Sequence, residues 1–110
     1  MITSITKPVS LSLIILWNHE RGELCNKQIP AAADKPLYSL VQKDGTLIKP
    51  SAADYDGTDA YGVHVGNGQV YYANSVFNPL YIVWPEGTDA VKKALVIDHL
   101  EKSFLIIKQD

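Results

Sequence analysis

Apolar and polar positions along this 110-residue chain change over in short runs. Short alternation of that kind predicts strands more than helices. Val9–Trp17 (VSLSLIILW) sets Ser10 and Ser12 between Val9, Leu11 and Leu13 before running on apolar, which predicts a central, largely buried strand. Asn18–Gly22 (NHERG) breaks the run as a loop. Glu23–Pro36 carries two prolines and no clear period, so it reads as a short helical turn or plain connection. Pro36 pushes Lys35 into an extended conformation and introduces the next strand. Leu37–Gln42 and Thr46–Lys49 flank Lys43-Asp44-Gly45, a hairpin signal because glycine accepts the positive φ of the turn. Pro50–Ala60 is rich in turn residues and reads as a loop, with room for one helical turn capped by Ser51.

The densest pattern runs from Tyr61 to Trp84, which holds four of the six tyrosines and one of the two tryptophans. Tyr61, Val63 and Val65 alternate with Gly62 and His64, Gly66-Asn67-Gly68 turns the chain with Asn-Gly as a type I′ pair, and Gln69–Ala73 runs back. Asn74–Asn78 reads as a break of mixed polarity. Leu80–Trp84 reads as a continuous apolar strand ended by Pro85-Glu86-Gly87.

Two readings fit the tail. Thr88-Asp89-Ala90 resembles a helix N-cap, with a helix to about Phe104. Against it, Val91, Leu95, Val96, Ile97 and Leu100 fall all round a helical wheel. Ala94–Ile97 and Phe104–Ile107 are equal apolar runs on either side of DHLEKS, and that symmetry favours a strand pair. The expected architecture is a single domain over residues 1–110, mainly β (α+β with little helix), in which antiparallel hairpins form a sandwich or a curved, partly open barrel.

Composition narrows the function classes. The chain is 46% apolar and 20% charged, as a globular domain is. Its net charge is −2, and its nine lysines and single arginine, Arg21, are scattered. Nucleic-acid binders carry a basic stripe, so no nucleic-acid partner is expected. Lys92-Lys93 reads as solvated surface. Val9–Trp17 is too short for a membrane span, which takes about 20 apolar residues, and no small-residue cleavage site follows it. No membrane association is therefore expected. Cys25 is the lone cysteine, so a reducing, cytoplasmic location is the simplest expectation and a small buried hydrophobe its ordinary role.

Chemistry is sparsely signalled. Asp54, Asp56 and Asp59 approach calcium-loop spacing, but Gly57 falls too early and Val65 stands where the closing glutamate belongs, leaving an acidic turn. Gly66-Asn67-Gly68 belongs to a hairpin and lacks the glycine that would complete a phosphate-binding turn. His19, His64 and His99 are too scattered for a zinc site, so no metal is expected. The alternation puts His64 opposite Tyr61, Val63 and Val65, facing solvent or a cleft, with an ordinary surface histidine favoured over a catalytic one. His19, beside Glu20 and Arg21 at a strand end, is the most site-like of the three. Tyr71, Tyr72, Tyr81 and Trp84 could line an aromatic pocket, although strand alternation sends about half of them into the core.

Taken together, LYSLVQKDGTL, YGVHVGNGQVYYANSVF, LYIVWPEGT and ALVIDHLEKSFLIIK, over about residues 37–107, resemble the layout of ADP-ribosyltransferase-like toxins of type VI secretion systems. The likeness rests on Pro85–Thr88 (PEGT) and the general order of elements. It implies NAD or a related nucleotide as cofactor, with Arg21, Tyr71, Tyr72 and Ser75 as the binding residues, in a toxin or a degenerate relative of one. Ser39 stands where that family places an arginine or histidine on its first strand, and a serine cannot replace a guanidinium on phosphate. Arg21 would have to reach in from another loop. The alternative is a non-catalytic, β-rich protein-binding or inhibitor module from a phage or mobile element, using its aromatic hairpin and an exposed edge strand. A homodimer paired through the C-terminal strand is the assembly this order of elements allows.

Overall fold

The computed structural model describes residues 14–108. Among them, seven strands form two open sheets, with one α-helix. The strands are β1 (Ile15–Asn18), β2 (Asn26–Gln28), β3 (Leu40–Val41), β4 (Gly62–Gly66), β5 (Gln69–Tyr71), β6 (Ser75–Phe77) and β7 (Leu105–Ile107); the helix is α1 (Ala90–Glu101). The mainly β, partly open architecture expected from the sequence is the one found.

One sheet has the order β2-β5-β4-β3 and is antiparallel throughout. Its centre is the β4–β5 hairpin. Asn67 (φ 53°) and Gly68 (φ 82°) both take positive φ, as a type I′ turn demands and as Asn-Gly supplies. The Lys43-Asp44-Gly45 turn also closes: the Gln42 N–H donates to the Thr46 carbonyl at 2.7 Å. The strands it joins shrink to β3 and a single Val41–Leu47 bridge.

The other sheet has the order β1-β6-β7, with β6 antiparallel to β1 and parallel to β7. Three expectations are corrected here. Of Val9–Trp17, residues 9–13 lie outside the described residues; Ile15–Trp17 enter β1, an edge strand rather than a central one among the described residues, with Ile14 and Ile15 buried and Trp17 54% exposed. Asn74–Asn78 is not a break but contains β6, the middle strand of this sheet. Leu80–Trp84 is not a strand. Asn78 Oδ1 accepts the Leu80 N–H at 3.0 Å and Pro79 occupies the first turn of a 3₁₀ segment, Pro79–Tyr81; proline is preorganised for that position. Leu80 is left 84% exposed.

The tail is a helix followed by a strand, which overturns the hairpin. Asp89 caps α1 by accepting the Lys92 N–H at 2.9 Å. Val96 and Leu100 enter the main core, and Leu95 backs onto Gly57. Apolar residues circle the helical wheel because Val96 and Leu100 face the core, Leu95 the Gly57 loop and Ile97 the side of Trp84, while Val91 is 70% exposed.

The main core joins both sheets and the helix, with Phe77, Leu40, Val63, Leu105 and Val96 fully buried. A smaller cluster of Ile29, Ala32, Val41 and Val70 is a separate core, with Leu47 and Tyr61 packed against it. The chain from Glu23 to Pro36, expected as a turn or connection, also supplies the short edge strand β2.

Candidate functional site

The four residues assigned to a nucleotide pocket do not share one environment. Arg21 is exposed and holds Glu23 Oε1 at 2.7 Å through its Nε. The Tyr72 hydroxyl donates to the Glu23 carbonyl at 2.8 Å, which puts Tyr72 beside the Arg21 loop. The Tyr72 ring lies flat on Tyr61, centroids 5.5 Å apart, with Lys27 Nζ 5.2 Å from the Tyr61 centroid. Tyr71, one residue earlier, meets Phe77 edge-on at 5.9 Å and packs against the main core. Burial raises its phenol pKa, with a smaller contribution from Cys25. Ser75 is wholly buried in β6, its hydroxyl donating to the Ala73 carbonyl at 3.2 Å. Period-2 alternation separates Tyr71 from Tyr72. Ser39, at the position compared with the family arginine, is also buried, its hydroxyl given to the Pro36 carbonyl at 2.7 Å.

His64 and His19 serve local structure. His64 is 1% exposed rather than a surface residue, which corrects the alternation argument: both faces of β4 are covered. Its Nε2 accepts the buried Gly68 N–H at 3.0 Å, tying β4 to its own turn, and Nδ1 faces the Pro36 carbonyl at 3.4 Å. His19 Nδ1 accepts the Arg21 N–H at 3.0 Å. His99 lies in the last turn of α1, its buried Nδ1 without a hydrogen-bond partner among the described residues.

Two aspartates of the acidic loop, Asp56 and Asp59, each accept two hydrogen bonds. Asp56 accepts from the Thr58 hydroxyl and N–H, and these bonds lower its pKa. Asp59 accepts from the Tyr55 hydroxyl and the Lys49 N–H. Among the described residues no group of three or more His, Cys, Asp or Glu could hold a metal ion. Cys25 is fully buried.

Among the described residues a concavity lies elsewhere, along α1. Pro85–Thr88 reverses the chain after Trp84: Gly87 takes a φ of 89° and the Thr88 hydroxyl donates to the Pro85 carbonyl at 2.6 Å. With the Asp89 cap, this turn lays α1 beside Trp84. Between them runs a groove of about 500 Å³. Its helical wall is the stripe Ala90, Lys93, Ala94, Ile97, Asp98 and Glu101, residues that share one face at 3.6 per turn. Pro79, Trp84 and Ile107 form the opposite side. Lys93 Nζ stands 5.6 Å from the Trp84 ring centroid, within cation–π range. The middle is apolar and the ends are charged.

Sequence reasoning named Trp84 and Ile97 but not this groove. The usable signal was the Thr88-Asp89 cap together with the spacing of Ala90, Ala94, Ile97 and Glu101, which a strand pair would have scattered. Among the described residues no helix is long and apolar enough to cross a membrane. No protein-family model matches the chain, and neither a curated protein nor a solved structure does.

Proposed function

We propose that this chain is a non-catalytic binding module that engages a protein partner through the groove between α1 and Trp84. The carrying observation is the composition of that groove: an indole, two isoleucines, a proline and two alanines, bounded by Lys93, Asp98 and Glu101. A recessed apolar centre with a charged rim is how protein interfaces accept an anchoring side chain. Leu80, next in the chain to Pro79, adds further exposed apolar surface. The nucleotide reading, by contrast, calls for Arg21, Tyr71, Tyr72 and Ser75 around one cleft, and the burial of Ser75 in β6 weighs against it.

Site-specific photocrosslinking in the source cells tests the proposal. A photoreactive phenylalanine analogue at Ala94, inside the groove, should give a discrete protein adduct. The same analogue at Lys43, exposed in the Lys43-Asp44-Gly45 turn and not part of the groove lining, should not. Equal adducts at both positions, or none at Ala94, would overturn the reading. A rise in melting temperature with millimolar NAD that Arg21→Ala abolishes would favour the nucleotide reading instead.

A further inference from the structure

Resting on that groove reading, we infer that its occupant is an extended peptide segment with an apolar side chain followed within two or three residues by a lysine or arginine. The apolar side chain sits between Trp84 and Ile97, and the cation reaches Asp98 and Glu101.

The charge distribution carries the argument. Lys93 is already engaged over Trp84 at one end of the groove. At the other end Asp98 and Glu101 stand three residues apart on one helical face, both exposed. The ion pairs among the described residues are Arg21–Glu23 and Lys35–Asp34, so neither carboxylate has a cationic partner there. Both also lie in the last turns of α1, where the carbonyl end of the helix already concentrates negative potential and disfavours anions. Lys102, the C-cap residue beside them, forms no ion pair with either among the described residues, so both carboxylates are available to a cation brought by a partner.

Length agrees. From Ala94 to Glu101 the helix rises about 10 Å, which about three extended residues span. Such a segment places an apolar group over Ala94 and Ile97 and a basic group at the carboxylates together. A purely apolar segment would leave the two anions facing a less polar surface with nothing to offset their desolvation.

The test is a ¹⁵N-resolved NMR titration of the whole chain with three blocked tripeptides: Leu-Gly-Arg, Leu-Gly-Gln and Leu-Gly-Glu. The arginine peptide should shift the amides of Ala94, Ile97 and Asp98 and the Trp84 indole. It should bind about 3- to 10-fold more tightly than the glutamine peptide, a gap that narrows with added salt. In an Asp98→Asn/Glu101→Gln double variant, whose sites are exposed and whose other resonances should stay in place, the arginine peptide should fall to the glutamine level. If the glutamine peptide binds wild-type protein as well as the arginine peptide, the basic preference is wrong while the docking groove stands. If none of the three perturbs the groove, both are wrong. If the same resonances move with protein concentration alone, a second copy is the occupant and the inference is overturned.

Discussion

Gly57 packs directly on the Leu95 peptide of α1, so closely that a Cβ built on it would stand 2.7 Å from the Leu95 carbonyl carbon. Its φ of +83° adds a conformation that side-chain-bearing residues rarely adopt. Gly57→Ala should therefore destabilise the fold by about 2–3 kcal/mol, the upper part of the range for single substitutions. Urea unfolding measures this, and a midpoint unchanged from wild type would contradict the close packing.

His64 makes a different kind of contribution, since its ring replaces solvent for a buried amide. His64→Leu keeps an apolar side chain there but orphans the Gly68 N–H, at a cost of about 1–3 kcal/mol. Hydrogen exchange reports it locally: the Gly68 amide should be protected in wild type and exchange much faster in the variant. Equal protection in both would mean that the imidazole is not its partner.

Asp89 sets where α1 begins. Asp89→Ala removes the acceptor for the Lys92 N–H and should cost about 1 kcal/mol. Because the first turn of α1 positions Ala90 and Lys93 along the groove, chemical shifts of Trp84 should move with it. Asp89→Asn should restore most of both, since asparagine caps about as well.

The Tyr55 phenol gives a pH signature. It is half-buried and donates to Asp59 Oδ1 at 2.6 Å. Burial first, then the Asp59 bond and charge, hold its pKa well above the ordinary phenol value. The unfolded chain loses this proton near pH 10. The stability contributed by the neutral phenol is thus fully present below about pH 10 and is lost as the pH rises toward the folded value. Tyrosinate absorbance should show a late-titrating class that Tyr55→Phe diminishes and Tyr71→Phe also diminishes. A titration superimposable on that of the urea-unfolded chain would contradict it.

What the sequence revealed and what it hid divide along the range of the interactions. The β4–β5 hairpin was legible because Asn67-Gly68 specifies its turn from two adjacent residues. The Asp44-Gly45 turn was legible for the same reason. By contrast, β6 looked like a break because Asn74, Ser75 and Asn78 are polar, yet Ser75 is buried with its hydroxyl bonded to the Ala73 carbonyl. Its strand character comes from β1 and β7, distant in sequence. Leu80–Trp84 is apolar enough for a strand, but the local Asn78 cap and Pro79 outweigh hydropathy. Around α1 the apolar circle was misleading, because period arguments assume a helix with one buried face, and α1 contacts the core, the Gly57 loop and the groove. The groove itself depends on that helix; until α1 is recognised, Lys93 reads as solvated surface and Asp98 as part of a connection.

Strand β6 also dictates the order in which the molecule can be completed during synthesis. Its antiparallel neighbour β1 precedes it by more than fifty residues, and its parallel neighbour β7 arrives only after α1. The β4–β5 hairpin can close on the ribosome as soon as it emerges, whereas β6 waits with one side unpaired until Leu105–Ile107 has been made. Pairing of this kind closes long loops and is slow. A nascent chain stalled before β7 would therefore present an open strand edge, and that is the stage at which this fold is most exposed to chaperone capture or aggregation.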